Sequence, residues 1–214
     1  IVTWMVPARS ELDEEYRLEY LDADIPLTPE VSLIEARKEI SKFGRVTHEM
    51  LRMVRDLVTV KENFQREQLM LRIAKYENIT DRIEVEVGKY LTKTSTEVRN
   101  EEVSARIQGM LAIVGDLERV GDIFFQMSKA MERKLDERLW FTPEQRQHLL
   151  DMLELVERAF EVMHRNLDVD AEQVFLDHGQ VRQAALGELL CLPRRELLAT
   201  FVHDIAGAGV DQVE

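Results

Sequence analysis

Apolar positions recur every three or four residues over most of the chain, the period of an α-helix with one buried face. Thr28-Pro29-Glu30 opens the first helix, with proline in the first turn and an acid against the dipole. Leu33, Ala36, Ile40, Phe43, Thr47, Met50, Val54 and Leu57 then carry one stripe without a break. A second helix, near 62–93, places Tyr76, Ile79, Ile83, Val87 and Tyr90 on one face, and a third, near 100–135, does so with Val103, Ile107, Met110, Val114, Leu117, Gly121 and Phe124. The start signal returns at Thr142-Pro143-Glu144, followed by Leu149, Leu153, Val156, Phe160, Met163 and Leu167. A fifth helix is expected after the break at 168–170 and runs to Leu190. A shorter sixth follows Leu192-Pro193 and ends in the Gly-rich stretch at 206–211. No strand-period segment with turn chemistry occurs, so the expected class is all-α. Three long helices joined by short turns describe an antiparallel bundle, and the repeated Thr-Pro start suggests a duplication. The expected units are a connecting arm at 1–27, a first three-helix repeat at 28–138 and a second, shorter one at 139–214.

Composition narrows the partners. The 41 acids exceed the 28 bases, giving a net charge of −13, which argues against nucleic acid and against anionic headgroups as direct ligands. Cys191 is the one cysteine, so no internal disulfide can form. There is no CxxC, HExxH or Gly-rich phosphate loop. No apolar run approaches the ~20 residues that span a bilayer. Residues 1–6 (IVTWMV) are apolar with Trp4 among them. They read either as the stub of a membrane segment emerging at the interface or as a strand or packed terminal arm.

The chemistry lies in two acid pairs of identical spacing, Glu77–Asp81 and Glu118–Asp122. Like charges at i, i+4 cost a helix about 0.2–0.5 kcal/mol, and this chain makes that choice twice. In a helical hairpin, residues whose numbers share one sum lie level. Glu77 with Asp122 and Asp81 with Glu118 share such a sum, for a turn centred between Arg99 and Asn100. Four carboxylates meeting there would raise one another's pKa values or hold a cation, and oxygen-only ligands suit hard cations or iron rather than a structural zinc. Glu39 and Asp116 lie on neighbouring turns as further candidate ligands. The alternative is a solvated helix flank, with Arg82 and Arg119 neutralising the acids. The five histidines share no spacing, and no Glu-x-x-His pair accompanies the acids, unlike di-iron bundles. They read as surface or bundle-edge residues. The methionines at helical spacing read as core filler, Trp140-Phe141 as a staple between the two repeats and Cys191 as inert.

The segment 116–122 (DLERVGD) resembles the signature of the PhoU family. The segment 76–93 (YENITDRIEVEVGKYLTK) is similar to its second-helix motif. The run 20–40 (YLDADIPLTPEVSLIEARKEI) is similar to the entry into the PhoU-like domain at the C-terminus of bacterial sodium/phosphate cotransporters. The resemblance implies a fold of two consecutive antiparallel three-helix bundles. It implies metal binding by the acid motifs, here Glu77, Asp81, Glu118 and Asp122, with iron or a divalent cation such as zinc, manganese or magnesium. It further implies a regulatory, non-enzymatic role in phosphate uptake at the cytoplasmic face of the cell membrane. The partners it implies are the transmembrane portion of the same polypeptide and a second copy in a homodimer. A stand-alone adaptor of the same fold and a structural dimerisation module are the alternatives. The second repeat departs from the pattern. Its motifs fall at Asp177 and Val181 and at Gly207 and Asp211, so each lacks one acid, and one competent site is expected, in the first repeat.

Overall fold

The computed structural model describes residues 28–168 apart from Trp140, together with Leu18 and Leu21. The expected fifth and sixth helices, the rest of the arm, Cys191 and the second-repeat motif positions lie outside the described residues. The described elements are four helices: α1 (Pro29–Thr59), α2 (Asn63–Glu97), α3 (Glu101–Asp136) and α4 (Pro143–Asp168). The chain is all-helical over this stretch, and the expected helix starts and turns hold to within a few residues.

The helix ends follow local chemistry. Asn100 caps α3 by accepting the backbone N–H of Glu102 at 2.9 Å. Thr142 caps α4 with a reciprocal box: its hydroxyl accepts Gln145 N–H at 3.2 Å, and Gln145 Oε1 accepts Thr142 N–H at 3.0 Å. Thr28 departs from this pattern. Its side chain makes no cap bond, and the turn is held by its carbonyl, which accepts Ser32 N–H at 2.9 Å. The two Thr-Pro starts are therefore alike in sequence and different in bonding.

α1, α2 and α3 pack pairwise into an antiparallel bundle, and α4 packs on α1. Three neighbours around α1 explain why its burial reaches beyond one stripe to Ser32, Ser41, Gly44 and His48. The predicted core positions are buried, including Phe43, Met50, Val54, Tyr76, Ile83, Val87, Ile107, Leu117 and Phe160, each fully buried aliphatic or aromatic side chain contributing about 1.5–3 kcal/mol. Tyr90, Met110, Val156 and Leu167 are only partly covered. Leu18 and Leu21, from the arm, also pack partly buried against the core. Met50, Met53, Met131 and Met163 are buried fillers as expected. Phe141 packs against the core, and the buried Lys134 holds its ammonium 4.5 Å from the Phe141 ring centroid.

α3 ends in a Schellman motif: Leu139 N–H reaches Lys134 O at 2.8 Å and Arg138 N–H reaches Leu135 O at 2.9 Å. The pivot, Arg138, has φ 58°, a left-handed conformation that glycine adopts without a Cβ penalty. Arg138→Gly is expected to stabilise the protein by up to about 1 kcal/mol in urea unfolding, since removing that penalty outweighs the added chain entropy.

Candidate metal centre

The site is built by a close approach of α2 and α3. A Cβ at Gly121 would stand 3.2 Å from Thr80 Oγ1 and 3.3 Å from Thr80 Cγ2, whereas one at Gly88, Gly109 or Gly115 would meet nothing within 4 Å. Thr80 is fully buried and pinned, its hydroxyl donating to Glu77 O at 2.7 Å. Glycine is what lets the two backbones come this near. The next residues along each helix are Asp81 and Asp122, so the contact carries the two carboxylates toward each other.

Glu77, Asp81 and Asp122 each offer an oxygen, and the three oxygens lie within 4.8 Å of one another. Oxygens bound at about 2.0–2.6 Å to a central hard cation stand up to about 4–5 Å apart. The donor set and its spacing therefore fit Mg²⁺, Mn²⁺ or Ca²⁺ by chemistry and size. Among the described residues, no other set of three or more histidine, cysteine or acidic side chains comes this close.

Glu118 stands beside this trio and joins it through Asp122. Burial, then the charge of Asp122, then Glu84, a hydrogen bond with Asp122 and finally Asp81 push its carboxyl up to about 7. Burial first, and Asp81 and Asp122 after it, raise Glu77. Burial and Asp122 raise Asp81. All four sequence-predicted acids thus share one patch of negative potential, three as a compact set and the fourth beside it.

Two expectations change, and the arginines of the solvated-flank alternative, Arg82 and Arg119, each make a pair along their own helix. Arg82 Nε lies 3.0 Å from Glu86 Oε1, and Arg119 Nη1 lies 2.8 Å from Asp116 Oδ1. Asp116 is thereby engaged, and the fully buried Glu39 stands outside the trio, so neither extends it. The histidines divide: His148 is exposed, but His48 is 7 % exposed and bonded to His164 and Glu157 across the α1–α4 seam. Sequence reasoning also missed Glu84. It follows Asp81 by three residues and Glu77 by seven, a helical spacing that puts it on their face.

The four acids lie inside a segment with a known counterpart. Residues 40–131 match the PhoU domain. The PhoU match runs from mid-α1 through α2 to near the end of α3, so it contains Thr80 and Gly121 as well as the carboxylates. No curated protein and no solved structure gave a match.

The raised carboxyls set a sign for pH dependence. Between the ordinary Glu value near 4.5 and the folded value of about 7 for Glu118, the native state binds more protons than the unfolded chain. Stability of cation-free protein therefore falls as pH rises through that window. Glu118→Gln keeps the hydrogen-bonding shape without the charge. It is expected to stabilise chelator-treated protein at about pH 8 and to leave it little changed at about pH 4.5. Urea unfolding of both proteins across the range checks this.

Proposed function

We propose that this chain is a regulatory, non-enzymatic module of phosphate control, whose α2–α3 hairpin is held by a cation on Glu77, Asp81 and Asp122, with Glu118 as a fourth ligand once deprotonated. The compact oxygen set, inside the stretch that matches the PhoU domain, carries this reading. A hard divalent cation supplies positive charge where four carboxylates crowd. Magnesium, manganese and calcium suit the oxygen set, and the likeness to the PhoU family adds iron and zinc as candidates. The protein's part is to hold the two pairs at fixed separation through the Thr80–Gly121 contact. Occupancy then sets the angle between α2 and α3, and that hairpin passes phosphate or metal status to a partner.

The partner we favour is the transmembrane part of a sodium/phosphate cotransporter, with this chain at the cytoplasmic face of the membrane. Support comes from the likeness of residues 20–40 to the entry of such domains. Among the described residues, no helix is long and apolar enough to cross a membrane. A stand-alone adaptor docking on a transporter would use the same hairpin. The net charge of −13 argues against nucleic acid as a partner in this scheme.

Elemental analysis of protein purified without chelator or affinity-column nickel tests the site, wild type beside Asp81→Asn/Asp122→Asn. Near-stoichiometric metal in the wild type and its loss in the variant are expected. Metal-free protein in both cases, even after incubation with iron, zinc, manganese, magnesium and calcium, would refute the metal site. In cells, the same variant should leave phosphate uptake running but insensitive to phosphate supply, and normal regulation would refute the regulatory role.

A further inference from the structure

The seam between α1 and α4 is built differently from the rest of the bundle. On α1, Arg37, Ser41, Arg45, His48 and Arg52 follow one another at three- and four-residue steps, one stripe along the helix. All five reach α4. Arg37 donates to Leu167 O and Asn166 O, each at 3.0 Å. The Ser41 hydroxyl donates to Asp168 Oδ1 at 2.6 Å, and Arg45 Nη1 lies 3.6 Å from the same oxygen. His48 Nδ1 lies 3.1 Å from His164 Nε2, and His48 Nε2 lies 2.7 Å from Glu157 Oε1. Arg52 Nε stands 3.6 Å from Glu157 Oε1. Gly44 lets α4 close in, since a Cβ there would sit 2.8 Å from Met163 Cε and 3.4 Å from the His164 ring.

Two imidazoles bonded nitrogen to nitrogen must be one donor and one acceptor. Glu157 accepts the Nε2–H of His48. If His48 is neutral, its Nδ1 is bare and His164 donates. If His48 is charged, His164 Nε2 must be bare. Either way the pair carries no more than one positive charge, because a second proton sets N–H against N–H at 3.1 Å. The charged groups facing the pair are Glu157 and Asp168 from α4 and Arg45 and Arg52 from α1, with Arg52 also bonded to Glu49 at 2.6 Å. Phe160 stacks on His48 with centroids 4.9 Å apart, and Phe124 of α3 lies behind it. His164 Nδ1 is buried without a partner, so a proton there gains no hydrogen bond. Burial, then His48, and after it Arg45 and Arg52 hold the His164 ring below the ordinary histidine range, against an opposing pull from Asp168.

We propose that the His48–His164 pair is an acid-sensitive latch on the α1–α4 seam: taking up its second proton releases α4 and leaves the α1–α2–α3 bundle assembled. The core of the bundle itself is built mainly from aliphatic and aromatic side chains such as Phe43, Met50, Ile83 and Leu117. A histidine depressed in the folded state contributes its stability above the unfolded value near 6.5, and the contribution is lost as pH falls through the folded value. Glu118 shifts stability in the opposite direction over the neighbouring window, so the two effects separate by sign and by helix.

The test is segment-resolved amide hydrogen exchange on the full chain at about pH 7.5 and about pH 5, corrected for intrinsic rates. In the wild type, protection of 143–168 should fall relative to α2, by about tenfold for each unit by which docking depresses the second pKa of the pair. His164→Gln and His48→Gln keep a hydrogen-bonding amide but do not titrate, and their α4 protection should be the same at both pH values. Wild-type α4 protection that does not change, or that falls equally in both variants, would overturn the latch. Histidine ring NMR on the wild type gives a readout independent of the variants. One proton of the pair should bind well below the free value, and two ordinary titrations near 6.5 would contradict it.

Discussion

The contact of Gly121 with Thr80 is the constraint on which the acid site rests. Thr80 cannot yield easily, because it is fully buried and its hydroxyl is tied to the backbone of its own helix. A Cβ at position 121 would force Thr80 to give way by a few tenths of an ångström, and the residues that follow on each helix are aspartates. The negative charge is therefore concentrated by packing. Folding brings Asp81 and Asp122 together through the apolar seam around Tyr76, Ile83, Val114 and Leu117, and burial then raises the cost of keeping the carboxyls ionised. A proton on Glu118 relieves that cost at the edge of the cluster, and a cation would relieve it at the centre.

α1 is where the two halves of the described chain meet. Toward α2 and α3 it presents Ile40, Phe43, Met50 and Val54, whose burial changes little with pH or salt. Toward α4 it presents Arg37, Ser41, Arg45, His48 and Arg52, whose bonds depend on protonation and charge. A bundle fastened by one apolar face and one polar face can keep its core while changing how the fourth helix sits.

Much of this was legible in the sequence because it follows from periodicity. The stripes of α1 to α4 and the turn at Val98–Asn100 come from spacing, and the level pairing of the acids follows once the turn is placed. What escaped was anything requiring a neighbour from elsewhere in the chain. His48 reads as an edge residue on its own helix and is buried because α4 docks there, which no local pattern reveals. Arg119 lies next to Glu118 in sequence, yet its guanidinium pairs with Asp116. Glu84 was within reach, since it continues the spacing of Glu77 and Asp81, but its role depends on Glu118 facing it across the seam. The left-handed Arg138 stands where a glycine would have signalled the helix end.

The most direct measurement is calorimetric titration of chelator-treated protein with manganese, wild type against Gly121→Ala. The added methyl would press on Thr80 and spread α2 from α3 without touching any carboxylate. Saturable binding by the wild type that weakens about tenfold or more in the variant, a loss of about 1.4 kcal/mol, is the expected result. Equal affinity in the two proteins, or no binding by the wild type, would contradict the claim that this helix contact builds a cation site.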